Sequence, residues 1–209
     1  MTLERPLRQD AARNRERLVA AARDVFRRKG LDAPLDEIAR EAGVAIGTLY
    51  NRFPTRGELV DAALGPLAQR AVELAERAAL ADDPWDGFTS FMEGTSRLLA
   101  DDRGYADVYR SHIADTPVIV AAQERLAALK ATIMTRAKGA GMLRADVETS
   151  DIVLITWGIA ATADATRDCA PDAWRRHLAL LLDGLRPQAA HALPDLPLTV
   201  EQLRNATPR

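Results

Sequence analysis

The side chains that most often carry catalysis lie far apart in this sequence. His112, His177 and His191 form no i,i+4 pair of the kind that binds a metal ion on a helix. The chain has no glycine-rich phosphate loop and no nucleophile-elbow motif. Asp82-Asp83 stands at a predicted helix end, where capping explains it better than acid–base catalysis, and Cys169 has no predicted basic neighbour. The sequence therefore predicts no catalytic residue, no metal site and no cofactor.

Basic residues are concentrated at the N-terminal end instead. Residues 1–56 contain 12 Lys/Arg and 8 Asp/Glu, a net charge of +4. Residues 57–209 contain the remaining 16 Lys/Arg and 22 Asp/Glu, a net charge of −6. This asymmetry indicates that the N-terminal end meets a polyanion, with chance as the alternative interpretation.

Short amphipathic helices follow one another in this basic part. Apolar periodicity predicts helices over residues 10–29, 34–42 and Ile46–Phe53. Gly30 is placed to end the first of them in a left-handed conformation. Only Gly43-Val44-Ala45 separates the second from the third, and so short a connection is typical of a helix-turn-helix.

The rest of the chain predicts six more helices, so the fold class is all-α. Ala, Leu and Arg dominate the composition, while β-branched runs are scarce. Thr55 and Glu58 predict a capping box for the fourth helix, which the Gly65-Pro66 step should kink or split in two. We expect the tail after about residue 190, with three prolines, to be loose. No signal peptide or bilayer-length apolar segment is evident, which favours a cytoplasmic protein.

The helix-turn-helix segment resembles the TetR family of bacterial transcriptional regulators. The resemblance covers about fifty residues and rests on Phe26 to Gly30, Ile38-Ala39, Ala42-Gly43-Val44, Gly47-Thr-Leu-Tyr-Asn-Arg-Phe53 and Pro54-Thr-Arg-Gly-Glu-Leu59. It implies a three-helix DNA-binding domain followed by a six-helix regulatory domain. The chain departs from the family near the second helix, where Pro34-Leu35 replaces the Ser or Thr that in many members contacts phosphate.

A DNA-contacting surface can be assigned to the third helix. The N-terminal part of a recognition helix enters the major groove, so Ala45, Ile46, Gly47 and Thr48 are expected to face base edges. The resemblance places the Tyr50 hydroxyl on a phosphate. The full set of predicted DNA-binding residues is Ala45, Ile46, Gly47, Thr48, Tyr50, Asn51 and Arg56. A second group, Arg5, Arg8, Arg13 and Arg15, forms either a basic arm across a groove or a solvated helix face.

A ligand pocket is expected between the fifth and eighth helices. Its candidates are aromatic or methionine side chains with a few polar groups, a composition typical of small-molecule sites, although ordinary core packing is the alternative for each. They are Phe88, Met92, Tyr109, His112, Met134 and Trp157. The resemblance implies a homodimer through the last two helices. The small residues Gly158, Ala161 and Ala165 and the apolar stripe Trp174, Leu178, Leu181 and Leu185 favour that interface, with packing in the chain's own core as the alternative.

These expectations describe a ligand-responsive, dimeric transcriptional regulator. Its DNA-binding domain would span residues 1–56 and its ligand-sensing and dimerisation domain residues 57–209. Its partners would be double-stranded operator DNA and a small-molecule effector, and the resemblance favours a repressor. The alternatives are an architectural DNA-binding protein without a ligand, and a helical enzyme, which the absence of catalytic motifs makes a poor fit.

Overall fold

The described residues, 4–111 and 116–206 of the computed structural model, form an all-α protein with no β-strand. This confirms the predicted fold class. The ten α-helices are α1 (Glu4–Lys29), α2 (Leu35–Glu41), α3 (Ile46–Arg52), α4 (Arg56–Ala79), α5 (Pro84–Asp101), α6 (Arg103–Arg110), α7 (Pro117–Gly139), α8 (Thr149–Thr166), α9 (Ala173–Gly184) and α10 (Val200–Asn205). No described helix is long and apolar enough to cross a bilayer.

Two glycines end the first two helices as their positions predict. Gly30 has a φ of 77° and its N–H bonds the Phe26 carbonyl at 2.8 Å. Gly43 has a φ of 66°, and a Cβ there would collide with the Arg17 guanidinium. Both positions lie in the left-handed region, which glycine occupies without steric cost. The chain can therefore turn sharply enough for α1, α2 and α3 to pack around one small core.

The long helix α4 connects this small core to the rest of the protein. Thr55 caps it by accepting a hydrogen bond from the Glu58 N–H at 3.2 Å. Of the two expected effects of Gly65-Pro66, a kink or a split, the split is wrong, because α4 is one helix with Pro66 inside it. Pro66 lies exposed, and the missing side chain of Gly65 allows Val118 of α7 to approach closely.

Helices α5, α6 and α7 pack against α4, whereas α8 and α9 pack against α5 and against each other. Several helix ends follow local signals. Asp83 caps α5 by accepting hydrogen bonds from the N–H groups of Trp85 and Asp86, as the Asp-Pro pair predicts. Helix α8 also begins after a capping residue. Its cap is Glu148, which forms a reciprocal capping box with Asp151.

The C-terminal segment is more ordered than the sequence predicts. Arg144, only 9% exposed, donates to both carboxylate oxygens of Asp146 and to the His191 carbonyl. Thr199 and Gln202 then form a capping box that starts α10. The expectation of a loose tail is therefore wrong for residues 200–205, which form a helix. Local capping and one buried arginine supply the order that the prolines of this segment do not predict.

Candidate nucleic-acid interface and regulatory core

The two faces of α3 differ sharply in exposure. Leu49 is fully buried and Phe53, just after the helix, is 3% exposed, so these two side chains hold the helix on its core. Ile46 and Tyr50 point the other way, with 40% and 52% of their surface exposed. Ile46 and Tyr50 lie one turn apart on this seven-residue helix, and adjoining exposed apolar groups of this kind mark a candidate interface.

The other predicted contact residues lie on or beside the same exposed face. Ala45, Gly47 and Asn51 are exposed, and Thr48 is half-buried. A Cβ at Gly47 would meet no atom within 4 Å, so the surface over this residue is open to a close partner. The structure therefore brings six of the seven predicted DNA-binding residues together on one surface.

Arg56, the seventh residue of that set, is engaged within the protein. Its guanidinium donates to the carbonyls of Leu31 and Ala33, the latter at 2.7 Å, and lies 5.9 Å from the centre of the Phe26 ring. These contacts fix the connection between α1 and α2 to the start of α4. Arg56 thus holds the scaffold of the interface, and its predicted contact with phosphate stays a prediction.

Two ion pairs fix α2 on α1. Lys29 donates to Glu37 at 2.8 Å, and Arg28 donates to Glu41 at 2.7 Å. The hydrogen bond from Lys29 holds the pKa of the Glu37 carboxyl below its usual value. Because α2 and α3 share the small core, these pairs help to set where the exposed face of α3 points.

Sequence reasoning missed one basic residue of this surface. Of the side chains in the predicted basic arm, only part lies within what the structure describes. Arg52, the last residue of α3, is exposed and forms no ion pair with a described residue. The signal for it was its place directly after Asn51 in the recognition helix. In the arm, Arg15 lies 5.3 Å from the centre of the Phe53 ring and Arg13 is exposed. The side chains of Arg5 and Arg8 lie outside what the structure describes.

The predicted ligand-pocket residues are not gathered around one described cavity. Phe88, Met92 and Met134 belong to the main hydrophobic core, at 0%, 1% and 4% exposure. Trp157 is half-buried, with an indole N–H that has no partner among the described residues. Tyr109 lines a cavity of about 10 Å³ between α4, α6 and α7, whereas His112 lies outside the described residues.

A much larger opening lies elsewhere, as a groove of about 1280 Å³ between α1, α4 and α5. Its apolar floor includes Pro66 and Leu67, and its rim mixes arginines with carboxylates. Among the acidic groups, burial raises the pKa of Asp102, although the N–H of Tyr105 bonds this carboxylate at 2.8 Å. The sequence does not reveal this groove, because its walls come from three different helices and form only when α1 packs beside α4 and α5.

The short helix α6 connects the regulatory core to the DNA-binding end. Asp107 accepts a hydrogen bond from the Leu31 N–H at 2.9 Å, directly after α1. Arg103 donates to the Arg28 carbonyl at 2.8 Å, and a Cβ at Gly104 would collide with Phe26. Helix α6 therefore contacts the C-terminal end of α1 through two hydrogen bonds, in addition to lying beside α4.

The last two long helices leave an apolar face uncovered. Leu154 of α8 and Leu180 of α9 are 39% and 61% exposed. The small residues Gly158, Ala161 and Ala165 are half-buried or exposed, so they do not serve this chain's own core. The apolar stripe of α9 instead favours the alternative interpretation, packing in the chain's own core. Trp174, Leu178 and Leu185 are at most 7% exposed and pack within the chain.

Comparison with known proteins matches both ends of the chain to the same family. Residues 18–63 match the family model for bacterial regulatory proteins of the tetR family. Residues 83–187 match the model for the C-terminal domain of SbtR-like transcriptional regulators. An HTH-type transcriptional regulator of Pseudomonas putida, TtgW, is 43% identical over 56 residues, which are 26% of this chain and 42% of that protein.

Solved structures extend the match along most of the chain. The TetR transcriptional regulator SCO0520 of Streptomyces coelicolor is 32% identical, with a TM-score of 0.54, and the alignment covers 84% of this chain and 99% of that one. The regulator FadR of Bacillus subtilis, solved with stearoyl-CoA, is 17% identical with a TM-score of 0.64, covering 84% and 99% of the two chains, and shows the same fold. The chain therefore belongs to the TetR family of DNA-binding transcriptional regulators.

Proposed function

We propose that this regulator is a homodimeric repressor that a small-molecule effector releases from its operator. The observation that carries the proposal is the exposed face of α3, where Ile46 and Tyr50 lie uncovered while Leu49 anchors the helix from behind. The DNA-reading unit would span residues 1–56 and the sensing and dimerisation unit residues 57–209. A role on DNA supports a cytoplasmic location.

Each exposed residue of α3 suits a distinct contact with DNA. Ala45 and Ile46 offer apolar atoms to thymine methyl groups, and Thr48 offers a hydroxyl to a base edge. Gly47 allows the backbone to approach the groove, since the space over it is open. Tyr50 and Asn51 follow on the same face and suit phosphate or a base edge.

A dimer suits this function because one three-helix unit makes few base contacts. Two copies related by a two-fold axis read two half-sites a whole number of helical turns apart. The uncovered face of α8 and α9, with Leu154 and Leu180 exposed, suits a symmetric interface of this kind.

Release from DNA requires that the effector bind one arrangement of the dimer better than another. Helix α6 is suited to transmit this preference, because Asp107 and Arg103 bond the end of α1. The FadR structure shows that a protein of this fold accommodates a small molecule. A displacement of α6 in this chain would move α1, and with it α3.

The DNA-reading surface is tested by fluorescence anisotropy with duplexes from upstream of the regulator's own gene. Tyr50→Phe removes one hydroxyl and should weaken binding about tenfold, while Thr48→Ala should relax base preference. Thr132→Ala on the exposed side of α7 is the control and should bind as the parent does. Specific binding that is unaffected by Tyr50→Phe would contradict the phosphate contact. Binding without sequence preference would instead favour an architectural protein.

The dimer is tested by sedimentation velocity at micromolar concentration. Leu180→Asp buries a charge in the proposed interface and should shift the protein toward monomer. Leu196→Asp is the control, because Leu196 is 92% exposed in the C-terminal segment. A parent protein that sediments as a monomer and still binds an operator specifically would contradict the dimer.

The communication path is tested with Asp107→Asn, which keeps the shape of the side chain and weakens its bond to the Leu31 N–H. Operator affinity should change by about five- to 150-fold, the range of typical coupling energies. Asp86→Asn on α5 is the control, since Asp86 is exposed and the variant keeps the backbone N–H that donates to the Asp83 carboxylate. Unchanged affinity for Asp107→Asn would rule out α6 as the connection.

A further inference from the structure

A lysine of α7 is buried with no carboxylate of a described residue paired to it. Lys130 is 6% exposed and lies one turn from Leu126 and one turn from Met134, both in the hydrophobic core. Its ammonium donates to the Tyr109 hydroxyl at 3.3 Å and lies 5.7 Å from the centre of that ring. No carboxylate of a described residue lies within 4 Å of it. An ammonium has three donor hydrogens, and a lone buried cation is costly unless it is paired.

Tyr109, the hydrogen-bond partner of this lysine, lines a very small cavity. Its volume of about 10 Å³ holds no more than one water molecule. Its walls are Tyr105, Val108, Tyr109, Ile119, Gln123 and Leu126, together with two alanines. Burial and the neighbouring Tyr109 raise the pKa of Tyr105, so the Tyr105 phenol stays neutral at physiological pH. The cavity therefore combines apolar walls, two phenols and one amide, and Lys130, which does not line it, bonds the hydroxyl of one of the two phenols.

We propose that Lys130 and Tyr109 bind the acidic group of the effector, and that the effector is a small monocarboxylic acid with an apolar body. This inference rests on the proposed function. A carboxylate supplies the missing counter-charge to Lys130 and accepts a hydrogen bond from the Tyr109 hydroxyl. One cation matches one negative charge, whereas a phosphate dianion favours several donors or a bidentate arginine. Val108, Ile119 and Leu126 would contact the apolar body.

Entry of such an acid must enlarge the cavity, and α6 is the element that can yield. Tyr109 lies on α6 only two residues after Asp107, which bonds the Leu31 N–H. Separating α6 from α7 to admit the acid therefore disturbs the contact between α6 and the end of α1. The same displacement binds the acid and reaches the DNA-binding helices.

Thermal melting with acids and their neutral amides tests the site. Benzoate and hexanoate should raise the Tm of the parent protein by about 5 °C at saturating millimolar concentration, whereas benzamide and hexanamide at equal ionic strength should not. Lys130→Met should abolish the acid-dependent shift. Lys138→Met should retain it, because Lys138 pairs with Glu148 near the end of the same helix. Tyr109→Phe should weaken the acids about tenfold.

A purely structural role for Lys130 predicts a different pattern. Lys130→Met without ligand should then melt well below the parent, whereas removal of an unpaired buried charge should leave its Tm unchanged or higher. The inference is overturned if neither acid shifts the parent Tm, if the amides match the acids, or if the shift persists in Lys130→Met. The parent comparison of acids with amides decides the matter even if Lys130→Met does not fold.

Operator binding separates this inference from the proposed function. Benzoate or hexanoate should lower the operator affinity of the parent about five- to 150-fold and leave that of Lys130→Met unchanged. If the parent binds its operator but responds to neither acid, the acid site is wrong and the regulator remains. If the parent binds no operator, the proposed function itself is wrong.

Discussion

The helix-turn-helix exposes its candidate functional residues to solvent, whereas the regulatory core buries several of its own. On α3, Ile46 and Tyr50 project into solvent from a helix that Leu49 holds in place. In the regulatory core, Phe88 and Met92 are at most 1% exposed and serve packing. The first region therefore separates contact residues from core residues, whereas in the second the two sets overlap.

This difference follows from the partners of the two regions. The major groove has a constant width and depth, so a protein reads it with exposed residues at fixed spacing on a helix. An effector of arbitrary shape is instead enclosed by the side chains that would otherwise fill the core. A sequence pattern can identify the first kind of site from spacing alone, but in the second kind a pocket residue looks like a packing residue.

Truncating one aromatic side chain in each region tests this difference most directly. Phe88→Ala should cost about 3–5 kcal/mol of stability, because Phe88 is fully buried and its loss leaves a cavity. Tyr50→Ala should change stability by less than about 0.5 kcal/mol, because the ring is half in solvent. Urea unfolding measures both, and operator affinity should fall only for Tyr50→Ala.

An opposite result would show which half of the comparison fails. A stable Phe88→Ala protein that loses its response to effector would assign Phe88 to the ligand pocket. A strongly destabilised Tyr50→Ala protein would assign Tyr50 to the core of the helix-turn-helix.

Two arginines test the same distinction between structural and contact residues within the DNA-binding end. Arg56→Ala should cost about 2 kcal/mol, since it leaves the carbonyls of Leu31 and Ala33 without their charged donor. Arg52→Ala should leave stability within about 0.5 kcal/mol, because Arg52 is exposed, but should make the salt dependence of operator binding shallower by about one unit. A stable Arg56→Ala protein with the shallower salt slope would return Arg56 to the phosphate-contacting set.

The smallest expected effect concerns acid sensitivity of the ion pair between α1 and α2. The pKa of Glu37 is lowered in the folded protein by its hydrogen bond from Lys29, so the pair stabilises the fold above the usual carboxyl pKa. This contribution is lost as pH falls through the lowered pKa. Glu37→Gln should therefore lose less stability than the parent as pH falls from above the usual carboxyl pKa to below the lowered pKa of Glu37.

Urea unfolding at several pH values measures this effect, with Glu124→Gln as the control. Glu124 is exposed on α7 and forms no ion pair with a described residue, so its variant should follow the pH profile of the parent. Identical profiles for all three proteins would show that the pair contributes nothing measurable.

Signals that act over three or four residues gave reliable predictions. Gly30 and Gly43 end their helices because only glycine enters the left-handed region freely, and Asp83 caps α5 through its own side chain. Helical periodicity also separated buried Leu49 from exposed Tyr50. A buried lysine was visible in the same way, since Lys130 follows Leu126 and precedes Met134 at four-residue spacing, but the prediction did not include it.

The all-α class, the helix-turn-helix and the outward face of α3 could be predicted from the sequence, because each depends on neighbours within one or two turns. Tertiary structure alone decided where long side chains end. Arg56 turns inward because the carbonyls of Leu31 and Ala33, over twenty residues earlier, lie within its reach. Lys130 meets Tyr109 because α6 packs beside α7. A flexible side chain can reach several partners, and only the packing of distant helices selects one.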